Sequence, residues 1–167
     1  MNATVRVSIV ALFCLAAAAC AKKQEVKPAP VEPAPAPAVV QTSGVFTPAD
    51  LQTNECLRTR VIYFDFDKSE IKPGFDAIIA CHAKYLRDRP MARMTLEGNT
   101  DERGTREYNL GLGERRGNAV ASALEAAGAS ADQIKVVSYG EERPVCREHN
   151  EGCWHQNRRV NISYTVE

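Results

Sequence analysis

A sandwich of helices packed on one β-sheet, α/β or α+β in class, is the fold that this 167-residue chain predicts. Short β-branched and aromatic runs alternate with longer stretches of helical apolar periodicity through most of the chain. The composition is that of an ordinary globular protein, 44% hydrophobic and 25% charged, which excludes a wholly disordered chain and a multi-spanning membrane protein. The formal net charge is zero, without the basic excess expected of a general nucleic-acid binder.

The elements follow in order. Asp50 to Leu57 reads as a short leading helix. Val61-Ile62-Tyr63-Phe64-Asp65-Phe66 is β-branched and aromatic, a first strand. Pro73 suits the first turn of a helix whose apolar positions are Phe75, Ile78, Ile79, His82, Tyr85 and Leu86, and Pro90 lies just past its end. Met91 to Glu97 reads as a second strand, and Gly98 to Gly104 as a loop. A second helix runs from about Thr105 to Ala127, with Tyr108, Leu112, Ala119, Val120, Ala123, Leu124 and Ala127 as its apolar stripe and Gly128 as its stop. Ser130 to Gln133 is a helical turn, Ile134 to Tyr139 a third strand and Val160 to Val166 a fourth.

The front of the chain has a different chemistry. Arg6 precedes an apolar run from Val7 to Ala19, too short for a comfortable membrane span of ~20 residues and fitting a secretory signal. The run ends in Ala17-Ala18-Ala19-Cys20. Small residues before a cysteine resemble a bacterial lipoprotein signal, in which Cys20 carries a thioether-linked lipid; the alternative is ordinary cleavage after Ala19 with Cys20 a free thiol. Ala17 stands where leucine is usual. Six of the nine prolines lie in residues 21–48, so this stretch favours extended polyproline-like conformations and cannot pack a core. The predicted organisation is a signal peptide at 1–19, a lipidated cysteine and Pro/Ala-rich linker at 20–48, and one domain at 49–167.

Four cysteines remain besides Cys20 in the mature chain. In an exported protein, Cys146 and Cys153, which share a loop, are the natural disulfide pair, leaving Cys56 to Cys81. A metal reading of Cys146, His149, Cys153 and His155 competes, but the spacing is no familiar zinc pattern. His82, on an apolar helix face, reads as a hydrogen-bonded core residue rather than a base.

The function-bearing stretch is Glu97-Gly98-Asn99-Thr100-Asp101-Glu102-Arg103-Gly104-Thr105 and the helix after it. Asp101 sits in the loop entering that helix, where its dipole favours an acid. Asn109, Leu112, Gly113 and Arg116 fall near one stripe. Gly113 permits close approach of backbone or ligand. One carboxylate and one guanidinium can thus converge on a pocket complementary to a zwitterion, Arg holding a carboxylate through two hydrogen bonds and Asp accepting from an ammonium. The alternative is an internal Asp–Arg salt bridge that supports the fold.

Together with Tyr63 to Lys68, Val137 to Glu141 and Asn157-Arg158-Arg159-Val160, these motifs closely resemble the OmpA-like peptidoglycan-binding family over about residues 58–167. The resemblance implies an α+β, βαβαβ-type sandwich with helices on one mixed four-stranded sheet. It also implies non-covalent binding of the diaminopimelate residue of the peptidoglycan stem peptide, with no cofactor and no metal. By position, Asp101 would hold the diaminopimelate ammonium and Arg116 its carboxylate. Thr100, Arg103, Asn109 and Leu112 would form supporting walls, and Phe66 and Asp67 would line the pocket through backbone groups. Arg158 and Arg159 match packing positions. Gly111, Gly113 and Gly117 stand where the family often has Ser or Ala and should loosen the helix by roughly 1 kcal/mol each; Asn99 replaces a common histidine.

The implied role is an outer-membrane lipoprotein on the periplasmic face that tethers the membrane to the cell wall, with the β-propeller protein TolB of the Tol system as partner. A paralogous wall-binding lipoprotein without that partnership is the nearest alternative. A wall hydrolase would need paired carboxylates, a metal, or a nucleophile with its base; Asp101 and Glu102 are adjacent, but Arg103 and Arg116 lie close by, and no base or nucleophile is placed. A porin-like or stator relative would need a β-barrel or a membrane helix in residues 1–57.

Overall fold

The computed structural model of the chain describes residues 44–165, so the predicted signal peptide, Cys20 and most of the linker lie outside the described residues. Two short helices, α1 (Asp50–Thr53) and α2 (Glu55–Arg58), precede strand β1 (Val61–Tyr63) and helix α3 (Asp76–Asp88). Strand β2 (Arg93–Asn99), helix α4 (Arg106–Ala126), a 3₁₀ turn (Ala131–Gln133) and strand β3 (Ile134–Gly140) follow. Helix α5 (Glu151–Asn157) and strand β4 (Arg159–Thr165) complete the domain. The sheet order is β1-β4-β2-β3. Strand β4 runs antiparallel to both β1 and β2, whereas β2 and β3 are parallel, joined through α4. A parallel pair needs such a crossover, and α4 supplies it. The fold is the expected α+β sandwich on a mixed sheet.

Strands β1, β2 and β4 send Ile62, Met94, Leu96, Val160 and Ile162 into the main core, where they meet Ile79, Ala83 and Leu86 of α3 and Val120, Ala121 and Leu124 of α4. A second cluster, Phe46, Leu51, Leu57 and Tyr85, closes one end of α3. Phe46 is buried, and its backbone N–H donates to Asp88 at 2.8 Å. The packed domain therefore starts before the boundary expected at residue 49, because an aromatic side chain inside the end of the linker finds an apolar cleft. The disulfide Cys56–Cys81 ties α2 to α3 across this cluster.

Several element boundaries differ from expectation. The leading helix is broken at Asn54, which takes extended dihedrals and caps α2 through its side chain. Strand β1 ends at Tyr63 rather than Phe66, and the chain turns at Asp67, which has a positive φ of 57°. Helix α5 lies within the segment that reads as a loop; Asn150 caps it, accepting from the backbone N–H of Cys153. Tyr108 is not part of the buried stripe of α4: it is 45% exposed.

The glycines of α4 also act differently from expectation. A Cβ on Gly113 would lie 2.3 Å from Ser138 Oγ and 3.0 Å from the carbonyl oxygen of Gly98. One on Gly117 would lie 2.5 Å from Val136 Cγ1. These two glycines let α4 seat directly on β2 and β3, so their low helix propensity accompanies tight packing rather than a loosened helix. Gly111 meets only the flexible end of Arg115.

His82 is fully buried and bridges two partners, Tyr164 Oη at 2.8 Å and the Thr59 carbonyl at 2.9 Å. Burial pulls its pKa down to about 4, so it is a neutral core residue at physiological pH.

Candidate functional site

A cavity of about 200 Å³ opens where β1 ends and α4 begins. Its lining includes Phe66, Asp67, Thr100, Asp101, Arg103, Asn109, Leu112 and Arg116, so the structure brings all the expected wall and clamp positions together. Gly104 and Tyr108 line it as well. Spacing on one helix could reveal the Asn109–Leu112–Arg116 stripe; the approach of Phe66 and Asp67 depends on how β1 pairs with β4.

Arg116 forms the floor. Its side chain is fully buried, and its guanidinium donates to three backbone carbonyls: Nε to Lys68 at 2.8 Å, Nη1 to Asn99 at 2.9 Å and Nη2 to Asp65 at 3.0 Å. A guanidinium has five N–H donors, so the three carbonyls leave spare capacity. Among the described residues no carboxylate pairs with it. Burial lowers its pKa to about 10, against the favourable field of Asp101, and it stays a cation at neutral pH.

Asp101 is also buried, but its carboxylate is already engaged. Oδ1 accepts from the backbone N–H and Nε of Arg103, at 3.1 and 3.2 Å, and Oδ2 accepts from Arg103 Nη2 at 2.7 Å and Arg158 Nη1 at 3.2 Å. Burial pushes its pKa up; the hydrogen bonds from Arg103 and Arg158 outweigh that and hold the carboxyl below its usual range. An internal Asp–Arg bridge therefore exists, made with Arg103 and Arg158 rather than with Arg116.

The rim is aromatic and polar. Tyr108 donates its hydroxyl hydrogen to Asp67, and Asn109 Nδ2 donates to Glu141. Thr105 caps α4 by accepting from the Tyr108 N–H at 3.2 Å. Gly140, with φ of 51°, passes so close to the first turn of α4 that a Cβ there would lie 2.9 Å from the Leu110 nitrogen. Thr100 donates its backbone N–H to the Gly140 carbonyl at 2.9 Å, yet its buried hydroxyl has no protein partner.

Arg103 lies over two rings, 4.0 Å from the centroid of Phe66 and 4.2 Å from that of Trp154. Trp154 comes from α5, so the segment 146–155 forms one flank of the site. Sequence reasoning missed this; Asn150-Glu151, a cap and an acidic first turn, was the available signal. Cys146 and Cys153 form a disulfide, which removes both thiolates from any metal reading of that segment. Arg158 donates to the Phe64 carbonyl, Asp101 and Glu151, whereas Arg159 donates to Asn161 and to the carbonyls of Asn157 and Arg143. Arg158 thus backs the site directly and Arg159 braces the neighbouring turn.

The open mixed sheet thus carries, at the mouth of its β–α–β crossover, a pocket whose lining includes a buried cation, Arg116, and a buried anion, Asp101. The chain belongs to the OmpA family, whose sequence profile matches residues 63–158. More particularly, it is 44% identical over 124 residues to the peptidoglycan-associated lipoprotein of Haemophilus influenzae, covering 74% of this chain and 78% of that protein. It is 52% identical over 100 residues to the protein of the same name from Pseudomonas putida, covering 60% of each. The crystal structure of the peptidoglycan-associated lipoprotein from Burkholderia pseudomallei superposes with a TM-score of 0.68 at 42% identity, covering 70% of this chain and 98% of that one.

Proposed function

We propose that this chain is an outer-membrane lipoprotein that binds peptidoglycan non-covalently and ties the membrane to the cell wall. The observation that carries the reading is Arg116: a buried guanidinium, pinned by three carbonyls and lacking a carboxylate, at the floor of an open cavity. A buried cation of this kind is compensated best by an anionic ligand group. The zwitterionic end of diaminopimelate carries that carboxylate, together with an ammonium that shares the Asp101 carboxylate with Arg103. The Thr100 hydroxyl offers the ligand a further hydrogen bond. No covalent step is involved, so occupancy is set by concentration and affinity.

Cys20 is the proposed lipid attachment and residues 20–48 the proposed spacer. Among the described residues no helix is long and apolar enough to cross a membrane. A Tol-type β-propeller, TolB, is the proposed protein partner, with a role in envelope integrity and cell division. A wall-binding lipoprotein lacking that partnership would have the same pocket.

The test is co-sedimentation of the purified full chain with two kinds of cell wall. Diaminopimelate-type wall should retain it. Lysine-type wall keeps the ammonium but lacks the carboxylate, and should retain much less. Equal retention on both would remove Arg116 from the ligand contact and sink the proposed chemistry.

A further inference from the structure

We propose that α5, stapled by Cys146–Cys153, is the positioning element for the acidic half of the pocket, and that Trp154 and Glu151 set the pose of Asp101 through Arg103 and Arg158. This inference rests on the reading of the pocket as a site for a ligand ammonium and carboxylate.

The carboxylate of Asp101 is oriented by two arginines, and both are held from behind by α5. Glu151 accepts from Arg158 Nη2 at 2.5 Å, and its second oxygen lies 3.6 Å from Arg103 Nη2. Trp154 stacks on the Arg103 guanidinium, a contact that favours a cation over the ring face. The indole N–H donates to Glu102 Oε1 at 2.8 Å, and His149 Nδ1 lies 2.5 Å from the same oxygen. Glu102 adjoins Asp101 in the chain, so the loop carrying the acid is tied to the α5 segment from two sides. Trp154 does not itself line the cavity, so its influence passes through Arg103.

The clamp is itself held in place. Seven residues of helix are too few to be stable alone. The disulfide closes the segment, and Asn150 caps it. Asn157 fastens its base, accepting from the Val145 and Cys146 N–H groups at 2.9 and 3.1 Å and donating to the Cys146 carbonyl at 2.7 Å. Releasing α5 would leave Arg103 with one ring instead of two and Arg158 without its outer carboxylate. Asp101 would then lose its fixed orientation while the sheet and core, built from other elements, remained.

The test measures affinity of the full chain for a soluble diaminopimelate stem tripeptide by calorimetry, with a double-mutant cycle. Trp154→Ala should weaken binding about ten-fold when Asp101 is present, and less than about two-fold in an Asp101→Asn background. Trp154→Phe, which keeps a ring over Arg103, should recover most of the loss. The Cys146→Ser/Cys153→Ser double variant should reproduce the pattern, and it carries the test if Trp154→Ala does not fold. A purely structural role would lower affinity equally in both backgrounds, and that result overturns the inference, as does unchanged binding by the folded variants. Failure of the unmodified chain to bind overturns the functional reading and this inference with it.

Discussion

Arg116 joins a buried structural role and the proposed ligand contact in one side chain. Its three carbonyl acceptors come from the end of β2 and from the 65–68 turn, so removing it strands backbone groups as well as the proposed ligand contact. Arg116→Leu should destabilise the domain by roughly 3–5 kcal/mol, read by urea titration. Arg116→Lys keeps the charge but not the planar fork, and should lose at least ~10-fold in wall affinity with the fold retained by circular dichroism. His82 makes a pH prediction. Its folded pKa of about 4 lies below the unfolded 6.5, so the unfolded chain binds the proton first as pH falls. Stability is full above pH 6.5 and declines towards pH 4, by roughly 3 kcal/mol if no other group intervenes. Asp101, whose pKa is lowered, adds a further loss only in stronger acid. In His82→Gln, the slope between pH 6.5 and 4 should largely vanish from the thermal midpoints; an unchanged slope would assign it to another group.

Helix α4 shows how an element's propensity and its packing can disagree. Gly111 and Gly113 have the same intrinsic cost, yet their surroundings give opposite expectations. Gly111→Ala meets only the movable end of Arg115, and should stabilise by about 0.5–1 kcal/mol. Gly113→Ala drives a methyl group into Ser138 and the Gly98 backbone, and should destabilise by about 1–3 kcal/mol despite the better helix former. Chemical denaturation of the two variants reads the signs directly. If both stabilise, α4 does not seat Gly113 directly on Gly98 and Ser138. The same seating brings Leu110 and Asn109 against Gly140, which sets how far the first turn of α4 stands from the Asp101 loop.

At the scale of the whole molecule, two covalent ties brace the domain in different places. Cys56–Cys81 spans 25 residues and holds the leading helices to α3, whereas Cys146–Cys153 spans 7 and holds α5 beside the pocket. On loop-closure entropy alone, removing the first should cost about 3.5 kcal/mol and the second about 2.5 kcal/mol. The functional cost should run the other way. Serine replacement of Cys56 and Cys81 should lower the thermal midpoint more, whereas replacement of Cys146 and Cys153 should lower wall affinity more. Matched losses in both properties for both pairs would contradict this division. In the proposed lipid-anchored role, weak single attachments would add through the many copies on one membrane, so modest affinity at each pocket is compatible with firm tethering.

Local chemistry is why so much could be read from the chain itself. β-Branched runs, proline and glycine punctuation and the helical stripe of α4 depend on neighbours in sequence, and they determined the order of the main strands and helices and the Asn109–Leu112–Arg116 stripe, whereas Thr100, Arg103, Phe66 and Asp67 were legible only through the family resemblance. What they could not determine depends on distant partners. The engagement of Asp101 by Arg158 and the placing of Trp154 over Arg103 require β4 to bring the end of the chain beside the loop after β2, and the isolation of Arg116 among carbonyls requires the 65–68 turn to meet the end of β2. The role of Gly113 and Gly117 is decided there too, because a missing side chain gains meaning only from the atom that would otherwise collide with it. Charges separated by more than fifty residues cannot be paired by spacing; their partners are chosen by the sheet register and by burial, which removes water as the competing partner.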